Sequence, residues 1–84
     1  MIKVRIDMRP LLPMNRMNAA QIAKTANRFD SLLTLEWGSI IINLKSMLGL
    51  LSQPSFGDGN VSLIADGMDE EEAVEAIEAI FNIS

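Results

Sequence analysis

The stretch LTLEWGSIIINLKSMLGLL, residues 33–51, decides the fold. Apolar and polar residues alternate from Leu33 to Trp37, which is the pattern of a half-buried β-strand. Gly38-Ser39 is a two-residue hairpin signal of the Gly-X type, and Ile40-Ile41-Ile42 then supplies a short strand. The stretch therefore predicts two antiparallel strands joined by a tight turn.

The apolar segment that closes this stretch predicts a short helix. Ser46 can cap its first turn, because a serine hydroxyl accepts a hydrogen bond from a free backbone N–H. The helix is expected to end at Ser52-Gln53-Pro54. Residues 53–60 are rich in Gly, Pro, Ser and Asp, a composition that indicates a loop.

Two more strands flank this region. Alternation predicts a strand from Ile2 to Met8 and another from Val61 to Ala65. Pro10 and Pro13 stop the first strand from pairing further, because proline has no backbone donor.

Two more helices complete the chain. Helical spacing of apolar residues predicts a first helix from Ala19 to Phe29, with Asn18 as its N-cap. A final helix follows Asp69, which forms a capping-box-like pair with Glu72. The element order is βαββαβα, so we predict an α+β fold in which a four-stranded antiparallel sheet carries three helices on one face. Residues 1–84 are expected to form a single domain.

Composition narrows the class of protein. There is no cysteine, which suits a reducing compartment. Charged residues interrupt the N-terminal strand, so it contains no secretory signal, and no apolar run approaches the roughly 18 residues of a membrane span. A cytoplasmic protein that does not bind a membrane is therefore expected.

The net charge of −4 is distributed unevenly along the chain. Six of the seven basic residues precede residue 30, and ten of the eleven acidic residues follow residue 29. This asymmetry could steer an acidic partner toward the N-terminal half, although the charges could equally be solvated side chains on unrelated faces. No basic cluster is interleaved with aromatic residues, so direct nucleic-acid binding is not expected.

The combinations of residues typical of catalytic sites are missing, and the acidic residues do not indicate a metal site. The chain has no Ser/His pair, no Cys/His pair and no phosphate-cradling glycine loop, so neither an enzyme nor a small-molecule substrate or cofactor is expected. The acidic run Asp69 to Glu72 compensates a helix dipole rather than binding a metal. Asp58-Gly59-Asn60 is interpreted as a turn rather than a calcium loop.

The element order at this length resembles HPr, the histidine-containing phosphocarrier family of the bacterial sugar phosphotransferase system. The resemblance covers nearly the whole chain and is strongest in Thr25 to Ser31, Asn43 to Ser52 and Ala65 to Ala79. It implies an open-faced sandwich fold. It also implies that Ser46, between Lys45 and Met47, matches the family's regulatory phosphoserine.

The second functional segment of the family departs from the pattern. The family reads Gly-Ile/Leu-His-Ala-Arg-Pro-Ala, whereas this chain reads Pro-Met-Asn-Arg-Met-Asn-Ala over residues 13–19. Asn15 thus occupies the phosphohistidine position and Met17 the arginine position, and the chain has no histidine at all. An amide nitrogen is not a nucleophile, because its lone pair is delocalised into the carbonyl. Phosphohistidine transfer is therefore excluded chemically.

A branch of the family, the catabolite-repression HPr-like proteins, also replaces the histidine while keeping the serine. In that branch HPr kinase/phosphorylase modifies the serine, and the product binds a LacI-type catabolite control repressor as corepressor. The resemblance therefore implies a regulatory protein with these proteins, or another regulated protein, as partners. A phosphate on Ser46 would lie at a helix N-terminus and change the surface potential without unfolding the helix.

Apolar residues around Ser46 and Asn15 are predicted to form a docking face for a protein partner. Methionine suits such a face, because it adapts to varied surfaces. The predicted docking face comprises Met14, Asn15, Met17, Ala20, Met47, Leu48 and Leu51.

Simpler interpretations remain open. Ser46 could be an N-cap alone, the apolar residues could belong to the core, and the methionines could reflect drift in an unused site. Two rival functions are a phosphocarrier relay component and a constitutive interaction module that works without phosphorylation.

Overall fold

The computed structural model describes residues 1–52 and 59–81. The strands are β1 (Ile2–Asp7), β2 (Leu32–Trp37), β3 (Ile40–Asn43) and β4 (Asn60–Asp66). The helices are α1 (Arg16–Ala26), α2 (Met47–Leu51) and α3 (Glu70–Phe81), and a short 3₁₀ turn covers Arg9–Leu11. The predicted order βαββαβα is confirmed. Of the predicted loop 53–60, residues 53–58 lie outside the described residues.

The four strands form one antiparallel sheet in the order β1-β4-β2-β3. β4 lies between β1 and β2, so it aligns Ala65 with Ile2 on one side and with Leu33 on the other. The strand that comes last in the chain therefore holds the N-terminal strand and the hairpin in one sheet.

The β2–β3 hairpin has the tight turn that the sequence predicts. Trp37 pairs with Ile40, and Gly38 between them has φ +61°, a conformation that glycine adopts without a steric cost. The turn thereby fixes the register of the two strands.

One face of the sheet carries the helices and the core. Leu33, Leu35 and Leu63 point from the sheet into this layer and are fully buried. From the helices, Ile22, Leu50 and Ile77 meet them with no exposed surface. The opposite face carries Lys3, Arg5 and other exposed side chains, so the predicted open-faced arrangement is confirmed.

A carboxylate ties the start of α3 to the loop before β2. Asp69 accepts hydrogen bonds from the backbone N–H groups of Asp30 and Ser31, each at 2.9 Å, and from the Ser31 hydroxyl. The Ser31 hydroxyl, with the Asp30 amide next, lowers the pKa of the Asp69 carboxyl. Gly67 lies so close that a Cβ there would be 2.7 Å from the Ser31 Cα.

These hydrogen bonds show that the predicted capping box of Asp69 and Glu72 is wrong. The Asp69 carboxylate accepts hydrogen bonds from a distant segment of the chain, because the loop before β2 presents three donors to it. The carboxylate that reaches back at the helix start is Glu70, which accepts from the Gly67 N–H at 3.1 Å.

Within residues 1–52 and 59–81, no helix is both long enough and apolar enough to cross a membrane.

Candidate functional site

Asn15 immediately precedes the first helix, α1, and caps it. Its backbone is extended, with φ −131° and ψ 175°, and its side-chain oxygen accepts from the Asn18 backbone N–H at 2.8 Å. This is the geometry of an N-cap, so the predicted cap at Asn18 is wrong by three residues. Asn18 lies within the first turn, where its side-chain amide donates to the Leu11 carbonyl at 2.9 Å.

The segment around Asn15 has its two methionines in opposite environments. Met17, in the first turn of α1, is 78% exposed. Met14 is only 5% exposed and belongs to the core cluster with Met8 and Leu11. The prediction that Met14 contributes to a docking face is therefore wrong, because its side chain is packed inside the protein.

Ser46 caps α2 as the sequence predicts. Its hydroxyl oxygen accepts from the Gly49 N–H at 3.1 Å, and its own N–H donates to the Asn43 carbonyl at 3.1 Å. The residue is partly exposed, and the first turn of α2 contains no acidic side chain. A negative charge added to Ser46 would meet no like charge within that turn.

The segment leading to Ser46 is held by the C-terminal end of α1. Asn27, the C-cap of α1, donates from its side chain to the Lys45 carbonyl at 3.1 Å. The Lys45 ammonium donates to the Phe29 carbonyl at 2.7 Å. Lys45 is thus engaged with the end of α1, which the sequence did not reveal, since Phe29 lies 16 residues earlier.

The leucines of the short helix α2 differ in how deeply they are buried. Leu50 is fully buried, whereas Leu48 is 83% exposed. Met47 and Leu51 are partly buried and pack against the core. The structure therefore assigns one side of α2 to the core and leaves Leu48 on the surface.

The remaining residues of the predicted docking face lie on two helices that pack against each other. Asn15 and Met17 are exposed at the start of α1, and Ala20 is partly exposed one turn later. Without Met14, the predicted docking face comprises Asn15, Met17, Ala20, Met47, Leu48 and Leu51. Its two large exposed side chains are Met17 and Leu48.

The charged side chains beside this face are basic. Arg16 and Lys24 are exposed on α1, which has no acidic residue. The acidic residues collect on α3, where Glu71, Glu72 and Glu75 are exposed. Among the described residues, no group of three His, Cys, Asp or Glu side chains is placed to hold a metal ion.

Comparison with known proteins gives a consistent result. Residues 14–82 match the family described as the PTS HPr component phosphorylation site. The chain is 35% identical to the HPr-like protein Crh of Bacillus subtilis over 79 residues, covering 94% of this chain and 93% of Crh. It is also 36% identical to the phosphocarrier protein HPr of Treponema pallidum over 63 residues, covering 75% of this chain and 72% of that protein.

Solved structures show the same fold. The crystal structure of HPr-C-His from Thermoanaerobacter tengcongensis superposes with a TM-score of 0.86 at 31% identity, covering 96% of this chain and 91% of that one. Crh of Bacillus subtilis, described as a domain-swapped intertwined dimer, gives a TM-score of 0.75 at 34% identity, covering 96% and 88%.

Proposed function

The chain belongs to the HPr family, and from this membership we propose that it is a non-enzymatic regulatory protein that carries its signal on Ser46 rather than on a histidine. The observation that carries the proposal is the role of Asn15. The chain contains no histidine, and the residue at the family's phosphohistidine position serves as the N-cap of α1.

The chemistry of Asn15 supports a role outside the phosphoryl relay. Its side-chain oxygen is engaged with the Asn18 N–H, and its amide nitrogen has no available lone pair. Met17 can neither donate a hydrogen bond nor neutralise phosphate charge. The site therefore has a helix cap at Asn15, but it lacks the imidazole and the arginine that phosphohistidine transfer requires.

The setting of Ser46 supports its use as the phosphorylated residue. It is partly exposed at the start of α2 and flanked by the exposed Leu48. A phosphate there adds roughly −1.5 to −2 charge. Because Lys45 donates to the Phe29 carbonyl, we expect much of the added charge to remain available to a partner that supplies Arg or Lys.

The similarity to Crh, a protein named for catabolite repression, supports a role in carbon catabolite regulation. HPr kinase/phosphorylase would add the phosphate, and a catabolite control repressor, or another regulated protein, would bind the docking face. Met17 replaces the family's arginine at this face, so apolar contact by Met17 and Leu48 takes the place of one cationic contact.

Phosphorylation by the HPr kinase/phosphorylase of the same host, with ATP, tests the proposal. Intact mass spectrometry is expected to show a gain of about 80 Da, one phosphate. Ser46→Ala should abolish the gain, whereas Ser52→Ala, at the other end of α2, should retain it. No gain, or a gain that persists in Ser46→Ala, would refute the assignment.

Capture of the catabolite control repressor separates regulation from constitutive binding. Phosphorylated protein should retain more repressor than unphosphorylated protein. Equal capture by kinase-treated wild type and kinase-treated Ser46→Ala would favour a constitutive interaction module instead.

A further inference from the structure

Within residues 1–52 and 59–81, strand β3 forms one edge of the sheet. It is the last strand in the order β1-β4-β2-β3, and in the part of the chain that the structure describes its one neighbour is β2. Edge strands are commonly protected from further pairing by lysine, proline, charged side chains or a bulge. β3 has the sequence Ile-Ile-Ile-Asn and pairs with β2 in unbroken register from Ile40 to Asn43, so it has none of these.

The register shows which backbone groups of β3 face outward. In an antiparallel pair, residues whose backbone groups face the neighbouring strand alternate with residues whose groups face away. The hairpin turn closes between Trp37 and Ile40, and further along the Leu44 N–H donates to the Leu33 carbonyl at 2.9 Å. Ile41 therefore directs its N–H and carbonyl away from β2.

Those groups of Ile41 have no partner in the described part of the chain. No backbone hydrogen bond within residues 1–52 and 59–81 reaches them from outside the sheet. The next outward-facing residue, Asn43, directs its N–H the same way, whereas its carbonyl accepts from Ser46. The Ile41 side chain is 66% exposed on the open face of the sheet.

We propose that β3 is an interaction surface for a second copy of this chain, which pairs its own β3 antiparallel to the first about a two-fold axis at Ile41. Opposed residues in a sheet must point to the same face, which restricts the symmetric register. With Ile41 opposite Ile41 of the second copy, this condition is met. The N–H of each Ile41 then donates to the carbonyl of the other, and the two exposed side chains lie against each other.

Self-pairing fits this edge because each copy supplies the same uncharged strand with the same unpartnered donor and acceptor. The nearest charged residue of β2 is Glu36, which pairs with Ile41 in register and lies 3.5 Å from the Lys3 ammonium. Across the proposed pair, the two Glu36 residues are separated by three strand spacings, roughly 14 Å. That exceeds the screening length of about 8 Å at physiological salt.

The proposed dimer is weak, because only one short strand per copy is buried. The chain carries a net charge of −4, so the two copies repel each other at low ionic strength. Added salt should therefore strengthen the association, which is the opposite of what an ion-paired interface would show.

Sedimentation equilibrium over about 10 μM to 1 mM protein tests the proposal. The average mass is expected to rise from 9.3 kDa toward twice that value. Ile41→Lys places two ammonium groups at the axis and should weaken association at least tenfold. The matched control Leu32→Lys changes a residue that is 59% exposed on the same face but on an inner strand, and it should leave the association unchanged.

Two results would overturn the proposal. One is a mass that stays at that of a single chain up to about 1 mM at high salt. The other is a dimer that persists in Ile41→Lys, as expected if the copies exchanged a whole strand. Circular dichroism of both lysine variants should show an unchanged fold, since each replaced side chain is exposed.

Discussion

At the residue scale, the chain makes the same kind of contact at the two positions that the proposed function depends on. Asn15 and Ser46 each precede a helix, and each accepts a hydrogen bond from the backbone N–H three residues later. At Asn15 the side chain is engaged in capping α1. Ser46 caps its helix, and its hydroxyl group is the one that we propose is phosphorylated.

The cap at Asn15 makes a measurable contribution to stability. Asn15→Ala removes the side-chain acceptor and should lower the free energy of unfolding by about 1 kcal/mol, measured by urea titration. Asn15→Asp keeps an acceptor oxygen and should stay within a few tenths of a kcal/mol, or about the error of the titration. An equal loss in both variants would show that the amide has another role.

Asp69 should make stability depend on pH. Its folded pKa lies below the unfolded value of 3.8, so the carboxylate stabilises the fold above that pH. The contribution is lost as the pH falls through the folded pKa. The difference in unfolding free energy between wild type and Asp69→Asn should thus be largest near neutral pH and shrink as the pH falls below 3.8.

Glu71→Gln is the control for this pH dependence, because Glu71 is exposed in the first turn of the same helix. It should reproduce only a small part of the effect. If Asp69→Asn and wild type differed by the same amount at every pH, the hydrogen bonds from Ser31 and Asp30 would not be the cause.

At the element scale, the sequence predicted the existence and order of the helices and strands well, and their ends less well. Local patterns were sufficient for the hairpin, because Gly38-Ser39 and the alternation around it lie within one short stretch. The start of α1 was misplaced by three residues, because Asn18 was predicted to cap the helix and Asn15 does so instead. The structure selects Asn15, since Asn18 is engaged with the Leu11 carbonyl.

Burial within α2 could not be read from its sequence. Nearly every position is apolar, so no periodicity distinguishes the buried Leu50 from the exposed Leu48. The same limit applies to Met14, which adjoins the exposed Asn15 yet packs inside. Contacts between segments far apart in sequence, such as Ser31 with Asp69, leave no local signal at all.

Truncation of Leu50 and truncation of Leu48 should differ greatly in their effect on stability. Leu50→Ala removes a fully buried side chain and should cost about 2–5 kcal/mol of stability. Leu48→Ala should change stability by less than about 0.5 kcal/mol, because the side chain is exposed. Capture of the repressor by the phosphorylated protein should nevertheless fall in Leu48→Ala. Unchanged capture would remove Leu48 from the docking face.

At the scale of the whole molecule, one sheet and one helical layer enclose a single core in the described residues. We propose that residues 1–84 behave as one domain. Urea unfolding followed by Trp37 fluorescence and by circular dichroism should then give coincident transitions. Two separated transitions would contradict this.

The exposed charges of the two longer helices differ in sign. The exposed basic residues Arg16 and Lys24 lie on the helix that carries Met17, whereas the exposed glutamates lie on α3. Phosphate on Ser46 would add negative charge near the predicted docking face, where a partner that carries Arg or Lys could recognise it.

The proposal that this chain does not relay phosphate is tested most directly by a transfer assay with phosphoenolpyruvate and enzyme I. Intact mass spectrometry under neutral conditions then measures any phosphate added to the chain. We expect no added phosphate on this chain, with a histidine-containing HPr labelled in parallel as the positive control. Acid-labile phosphate on this chain that passes to a sugar permease subunit would contradict the proposal.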